Sequence, residues 1–328
     1  MEKKVKIVIS HRLHDAGMKV LEDAGVDVVI TNSGEPKDML PELRDADGVI
    51  IRIGSIDRAT MEQCPHLRAI GRPGVGVDDV DVTAATELGI PVVIAPGANT
   101  RSVAEHAMAM MFACAKDLIH SDREMRKGNF AVRSSYKAYE LRGRTLGLIG
   151  SGAIGSVFAE MAAGIGMKVL VYDPYVPAEK IEAQGYGYRT RVEDILREAD
   201  VVSIHTPLTD ATRGMIGEEQ LRMMKQDGIL INCARGGIVD EAALGRALDE
   251  NWIHSAGTDV VVHEPIDPND PIFAHDNIVV SPHMAGQTRE AAAGVATLAA
   301  EGVLAVIRGE KWAKVCNPKA YEHARWNA

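Results

Sequence analysis

Eleven short apolar runs recur along this chain with helix-like segments between them, and that alternation leaves few folds open. The first hundred residues carry "VKIVIS", "VDVVIT", "GVIIRIG", "LRAIG" and "PVVIA"; a second series follows at "TLGLIG", "KVLVYD", "VVSIHT", "GILINCA", "IHSAGTD" and "NIVVSP". Most are apolar at every position instead of at every second one. A strand of that kind is buried on both faces, as happens when helices cover a parallel sheet above and below. With 328 residues the chain is long enough for two such domains.

Between the two series lies "NTRSVAEHAMAMMFACAKDLIHSDREMRKGN", residues 99 to 129, which reads as one long helix. Ser102 and Glu105 have capping-box spacing, and Gly128 can stop it. Apolar positions from Val103 to Ala115 nearly encircle the helix, so burial all round is expected. The partner surface is then either a neighbouring domain, a second subunit or the domain's own core. A last helix, from about Thr288 to Arg308, comes after the second series is complete and can cross back to the first. Two crossings follow, near residues 97 to 101 and 284 to 289. The expected architecture is α/β: two Rossmann-like or flavodoxin-like doubly wound parallel-sheet domains with a cleft between them, one of residues 1–98 plus 288–328 and one of residues 99–287.

The formal net charge is −10, with the acids scattered instead of massed in a tail. That argues against nucleic-acid and anionic-membrane partners, and an anionic small molecule would need local attraction. No stretch reaches about 18 uninterrupted apolar residues. The start, "MEKKVKIVIS", lacks the apolar core of a signal peptide. Cys64, Cys114, Cys233 and Cys316 form no CxxC pair and have no histidine at zinc spacing, so no metal site is expected and a reducing cytoplasm is the economical location.

"TLGLIGSGAIG" places Gly150, Gly152 and Gly155 in GxGxxG spacing directly after an apolar strand and at the opening of a helix. The first glycine permits the tight turn, the second lets backbone approach a pyrophosphate, and the third lets helix and strand pack closely. The helix start, with Ala153 and Ile154, offers unpaired N–H groups and a partial positive charge to phosphates. Asp173 ends the next strand, where a carboxylate can accept hydrogen bonds from an adenosine ribose and would repel a 2′-phosphate. No arginine or lysine follows at once in "DPYVP", so NAD is favoured over NADP.

In an open parallel sheet, ligands sit outside the carboxyl ends of the strands. Arg235 after "GILINCA", Glu264 after "GTDVVVH" and His283 after "NIVVSP" occupy such ends. An arginine fork can grip a carboxylate with two bonds. Histidine is the natural proton donor when a carbonyl becomes an alcohol near neutral pH, and an adjacent carboxylate favours its protonated form. Each has an ordinary reading too: a solvated cation, an exposed loop acid, a hydrogen-bonded histidine. His205 in "VVSIHTP" is an equally placed competitor for the proton donor.

Seven stretches, "RPGVGVDDVD", "NTRSVAEH", "LGLIGSGAIG" with Asp173, "HTPLTDATRGMI", "INCARGGIVDEAAL", "HEPIDPNDPIF" and "NIVVSPHMAGQT", resemble in order and spacing the D-isomer-specific 2-hydroxyacid dehydrogenases. This group contains phosphoglycerate dehydrogenase and hydroxypyruvate reductase. The likeness runs from about residue 45 to 300. It implies that residues 99–287 bind NAD and that the remainder is the substrate-binding domain, with the enzyme a homodimer through the NAD-binding part. It implies that Arg235 binds the substrate carboxylate and carbonyl, that His283 is the acid/base with Glu264 as its partner, and that Asp259 contacts the nicotinamide side. His205 then lies along the cofactor with Thr206, Pro207 and Thr212, as do Cys233, Ala234 and Gly286. Backbone around Val75 and Gly76 holds the carboxylate. Arg52 is a further substrate-side candidate, and Arg52, Arg72 and Arg133 suit an anionic tail or, equally, a solvated surface. Where the family usually reads "ALDVF" this chain has "GTDVV", and Phe130 stands where a tryptophan is frequent, which loosens the substrate inference. The end at Ala328 leads us to expect no added regulatory domain.

The leading expectation is an NAD-dependent D-2-hydroxyacid dehydrogenase or 2-keto acid reductase. Phosphite oxidation on the same fold is one alternative, and an NAD(H)-sensing corepressor-type binding protein is another. Formate oxidation is disfavoured, because that branch has glutamine where this chain has Glu264.

Overall fold

The computed structural model describes residues 4–135 and 137–326, and its contacts divide the chain into two compact units, Met1–Asn99 with Gln287–Ala328, and Thr100–Gly286. The first unit holds strands β1 (Lys6–Ile9), β2 (Asp27–Ile30), β3 (Gly48–Ile50), β4 (Ala69–Gly71) and β5 (Val92–Val93). All pair in parallel, in the order β2-β1-β3-β4-β5. That is the flavodoxin-like order. The second unit holds β6 (Thr145–Ile149), β7 (Lys168–Tyr172), β8 (Gly187–Tyr188), β9 (Val201–Ile204), β10 (Ile229–Asn232), β11 (Ser255–Thr258) and β12 (Ile278–Val280). They form one parallel sheet in the order β12-β11-β10-β9-β6-β7-β8. The reversal of direction falls at β6, where a dinucleotide fold has its switch point.

The uniformly apolar runs behave as that topology requires. Every residue of β9, β10 and β11 is buried. Small residues let the covering helices approach: a Cβ on Gly147 would lie 2.5 Å from Ile195 on the helix Val192–Glu198 and 2.7 Å from its C-cap Ala199. β8 has no counterpart among the sequence expectations; it is a two-residue, half-buried edge strand with no apolar run to announce it.

The expected single helix over 99–129 is two helices, Thr100–Ala115 and Leu118–Arg126, broken where Asp117 takes a left-handed φ of 48°. Ser102 lies inside the first helix and is no cap, since the helix starts at Thr100 and Glu105 pairs with Arg101 (2.6 Å). Nor is the helix buried all round. Val103, Ala107, Met110, Met111 and Cys114 pack into the unit's own core against β10 and β11, while Arg101, Glu105, Ala109 and Phe112 form one exposed stripe. Residues four apart share a face, and this stripe keeps that spacing until its last step.

The last helix, Arg289–Ile307, starts at the N-cap Thr288, whose side chain accepts from Ala291 N. By length and composition it is apolar enough to cross a membrane, yet in this fold it is a core helix. It lies on β3, β4 and β5 and against the helix Asp15–Asp23, burying Ala296, Ala299, Ala300, Val303 and Val306.

Candidate active site

The cofactor turn follows β6. Gly150 has φ +94°, a left-handed backbone that side chains rarely adopt, and a Cβ there would sit 2.5 Å from His205 O. A Cβ on Gly155 would overlap the carbonyl of Gly150. Gly152 differs: a Cβ would meet nothing within 4 Å. It is the N-cap of the helix Ala153–Gly164 and no side chain caps it. The helix therefore opens with unclaimed N–H groups, Ala153 and Ile154 among them, facing space that a Cβ would fill. That is a fit for a pyrophosphate, since the helix dipole favours an anion where backbone can come close. Asp173, 7% exposed, ends β7 with its carboxylate accepting from Ser151 N (2.7 Å) and Tyr175 N (2.8 Å). One acid thus ties the glycine turn to the next strand's end at the position where a ribose hydroxyl would be read.

The loop after β9 completes this edge. Thr212 Oγ1 donates to Pro207 O (2.7 Å) and accepts from Thr209 N (2.8 Å), closing the segment that starts at Thr206 into a compact turn. His205 is not exposed at its tip. Its ring packs on Phe158, its Nε2 lies 2.9 Å from Ser203 Oγ, and burial pushes its pKa down to about 4. A group neutral at all ordinary pH values cannot be the proton donor for reduction near pH 7. His205 and His283, alike in their strand-end positions, thus differ in enclosure: His205 is half-buried against Phe158, while His283 is exposed.

Arg235, Glu264 and His283 follow β10, β11 and β12, three adjacent strands. The turn after β10 is held by Asn232, 4% exposed, which accepts from Ala234 N (3.0 Å) and donates to Arg235 O (3.0 Å). The Arg235 guanidinium is half-buried, and its Nη1 donates to Ala234 O (2.7 Å). Gly236 then lets this turn lie directly on the loop after β11, because a Cβ would be 2.7 Å from Val262 N and closer still to the Val261 carbonyl. That second loop is anchored by Glu241, whose Oε1 accepts from Val262 N (2.7 Å) and whose carboxyl burial pushes up in pKa. Glu264 accepts from Val261 N (3.2 Å) with Oε1, while its Oε2 meets His283 Nδ1 at 2.7 Å. The imidazole keeps Nε2 for other partners, so the pair can hold or deliver a proton at that atom.

Asp259, 1% exposed, does not stand open. Its Oδ1 accepts from Met284 N (2.9 Å) and Ser281 Oγ, and its Oδ2 from Ala285 N (2.8 Å). Next to them, Ala285 is buried and Gly286 is half-buried. Cys233 points away from the sheet edge: its thiol is buried, 3.8 Å from Met110 Sδ, and burial raises its pKa strongly. Only its backbone, like that of Ala234, is left to meet a cofactor.

In the first unit, Val75 is 48% exposed, and Gly76 beside it is half-buried, so backbone in "RPGVGVDD" is accessible. Arg52 is exposed, with Nη1 donating to Arg12 O (3.0 Å). Arg72 is engaged structurally, paired with Asp79 (2.6 Å) and donating to Ile51 O and Arg52 O. Arg133 in the second unit stacks over the exposed Phe130 ring, 4.8 Å from its centre.

Asn232, Glu241, Ser281 and His106 are the members of this site that spacing alone does not single out. The available signal was a polar residue inside or just after an apolar strand, as in "GILIN" and "NIVVS". A cavity of about 900 Å³ lies at the opposite, amino-terminal edge of this sheet, lined by Asp117, His120, Asp249, His254 and His275 among others. It contains none of the cofactor-turn or strand-end residues described above. Among the described residues no three histidines, cysteines or acids converge as a metal site.

Residues 108–285 match the model of the D-isomer specific 2-hydroxyacid dehydrogenase family's NAD-binding domain. The chain is 40% identical over 314 residues to a D-3-phosphoglycerate dehydrogenase of Methanocaldococcus jannaschii, covering 95% of this chain and 59% of that one. It is 37% identical to a glyoxylate reductase of Korarchaeum cryptofilum, covering 94% of each. Among solved structures it resembles a D-lactate dehydrogenase of Aquifex aeolicus complexed with NAD and lactic acid, with a TM-score of 0.83, 30% identity, and 93% and 96% of the two chains covered. The chain spans 50% to 59% of the length of the curated phosphoglycerate dehydrogenases it matches.

Proposed function

Because this chain belongs to the D-isomer-specific 2-hydroxyacid dehydrogenase family, we propose that it is an NAD-dependent oxidoreductase interconverting a D-2-hydroxy acid and its 2-keto acid. The observation that carries this reading is the His283–Glu264 pair at 2.7 Å, on the loops beside the one bearing Arg235. Bound NAD(H) supplies or accepts the hydride at C2. The residues do the remainder. Gly152, Ala153 and Ile154 receive the pyrophosphate on backbone, and Asp173 takes the adenosine ribose. Arg235 holds the substrate carboxylate and polarises the carbonyl, a charge-assisted contact of about 1.5–3 kcal/mol. In reduction His283 delivers a proton to the carbonyl oxygen from Nε2; in oxidation it removes one. Glu264 accepts from Nδ1 and fixes the ring's aim. In the substrate-binding part, residues 1–98 plus 288–328, the accessible backbone at Val75 and Gly76 and the exposed Arg52 are the substrate-side candidates.

The substrate candidates are phosphohydroxypyruvate, hydroxypyruvate and glyoxylate. Arg72 is committed to Asp79, which supports a small unphosphorylated acid over a phosphorylated one. Phe112, Leu118, Ile119, Met125 and Phe130 are large apolar side chains left exposed on the helices after Asn99, and they suit a homodimer through this face. Four free cysteines suit the reducing cytoplasm. One panel tests the reading: NADH oxidation with these three keto acids, and NAD reduction with phosphite. Turnover of a keto acid is expected. Tight NADH binding without turnover of any keto acid would remove the enzyme reading, and phosphite turnover alone would replace its substrate.

A further inference from the structure

His106, the last residue of "SVAEH", takes part in no step above, yet it reaches the same sheet edge from the helix Thr100–Ala115. Its Nε2 lies 2.8 Å from Ser281 Oγ and 3.6 Å from Asp259 Oδ1, and its side chain is 23% exposed. The direction of this chain can be worked out. Asp259 already accepts two backbone N–H groups, as a carboxylate does, and a carboxylate can only accept. The single hydroxyl proton of Ser281 is therefore directed to Asp259 Oδ1. Ser281 Oγ has no proton left for His106, so Nε2 carries one and donates it.

The other end of the chain is the catalytic turn itself. Met284 N and Ala285 N end on the Asp259 carboxylate, and His283 N ends on the Asp259 backbone carbonyl (2.8 Å). The N–H groups of Met284 and Ala285 thus end on one buried carboxylate, and that of His283 is shared between the backbone carbonyls of Asp259 and Ser281 (3.0 Å). The turn needs that restraint, because His283 has φ 49°, a left-handed conformation that costs a side-chain-bearing residue about 1–3 kcal/mol and persists only where its surroundings over-determine it.

We propose that His106 is a positioning residue for the acid/base: by donating to Ser281 it fixes Ser281 and Asp259, and through them the 281–285 turn that aims the His283 ring. The proposal takes the role of His283 from the dehydrogenase reading, but the positioning chain stands on geometry alone. Such positioning matters for rate, since about 1 Å of misplacement at reacting groups costs on the order of a hundredfold.

The experiment compares wild type with His106→Leu, which keeps bulk and loses the donor, and His106→Gln, whose side-chain amide can donate at similar reach. Three quantities are read: kcat and KM for the keto acid turned over, the NADH Kd, and the rate at which diethyl pyrocarbonate modifies His283 in cofactor-free protein, followed by peptide mass spectrometry. His106→Leu should lower kcat about 10- to 100-fold, leave KM and the NADH Kd within about threefold, and raise His283 modification at least about fivefold. His106→Gln should return each to within about threefold of wild type. Should the leucine variant not fold, Ser281→Ala cuts the same chain one link later and should reproduce its effects. Unchanged kcat and labelling in the variant lacking the donor would overturn the proposal, and so would a glutamine variant as impaired as the leucine one. The labelling arm needs no substrate, so a wild-type protein that reduces no keto acid would defeat the dehydrogenase reading while leaving the positioning of His283 still decided.

Discussion

Gly236→Ala is the substitution whose consequence can be worked most directly from the geometry. No positive φ is required at Gly236, so alanine's backbone preferences are not the difficulty. The added methyl carbon would sit 2.7 Å from Val262 N and nearer still to the Val261 carbonyl, whereas ordinary contact begins at 3.4 Å. Both neighbours are backbone, so neither can swing aside as a side chain would. The turn bearing Arg235 and the loop bearing Glu264 must separate by about 1 Å. Overpacking of this kind costs about 1–3 kcal/mol, and a shift of that size between substrate-holding and proton-transferring groups costs on the order of a hundredfold in rate. We expect kcat/KM to fall about 30- to 100-fold while Tm falls by about 3–10 °C, with the NADH Kd little changed. Gly237→Ala is the control: Gly237 has φ +80° and its nearest neighbour would be 3.7 Å away, so that variant meets backbone strain of about 1 kcal/mol without forcing the loops apart. Steady-state kinetics, fluorescence titration and thermal melts measure all three quantities. A Gly236→Ala enzyme within threefold of wild type and melting at the same temperature would refute the argument that close loop contact sets the site.

Gly152→Ala should fold normally, because the methyl meets nothing within 4 Å, yet weaken NADH at least about tenfold by filling the space left for a pyrophosphate; equal affinity by fluorescence titration would move the phosphate site elsewhere. His283→Ala should reduce turnover about 10²- to 10⁴-fold with little loss of NADH binding, and Arg235→Lys should impair both KM and kcat; near-normal kinetics in either would return that residue to an ordinary surface role. His205 is held neutral in the fold, with its pKa lowered from 6.5 to about 4, so its contribution is fully present above pH 6.5 and is lost as pH falls toward 4. Melts from pH 7 to 4.5 should show that loss, on the order of 2 kcal/mol, and His205→Gln should flatten it; parallel curves for the two proteins would contradict the assignment. Leu118→Asp with Met125→Glu should dissociate the proposed dimer in sedimentation experiments, while an unchanged oligomer would place its interface on another face.

What could be read from the sequence divides along a physical line. Strands in a helix-covered parallel sheet are mostly apolar, so eleven of the twelve announced themselves, the half-buried edge strands β2 and β12 among them, while β8 escaped because Gly187 and Tyr188 form no apolar run. The break at Asp117 escaped because "ACAKDLIH" holds neither glycine nor proline; an aspartate that can enter the left-handed region ends one helix and admits the next. For the candidate site, the strand-end rule singles out Arg235, Glu264 and His283, because the position of a side chain along a strand is a local property. Their supports are not local. His106 and Ser281 are 175 residues apart, Asp259 and Ala285 are 26 apart, and Glu241 meets Val262 across 21. No spacing encodes such contacts, which exist only once the sheet order has brought β10, β11 and β12 side by side.

The two strand-end histidines illustrate how a parallel sheet can assign unlike tasks to like residues. His205 follows β9 and turns back onto Phe158 and Ser203, where no carboxylate meets it and burial alone governs its proton. His283 follows β12 and is turned outward by a left-handed residue conformation, its Nδ1 against Glu264 and its Nε2 left for a reacting group. The proposed proton donor must be protonated at working pH and reachable; burial lowers the His205 pKa to about 4, and the outward turn leaves the His283 ring exposed, which supports that proposal. That turn is conformationally costly, which explains why so much buried polar material collects beneath it: Asp259, Ser281 and His106 have no apolar packing role there that alanine or leucine would not fill better. Burying an acid at 1% exposure is expensive unless donors surround it, and the donors here are the backbone of the catalytic turn itself. The acid and the turn therefore hold each other, so loosening either should cost turnover before it costs the fold.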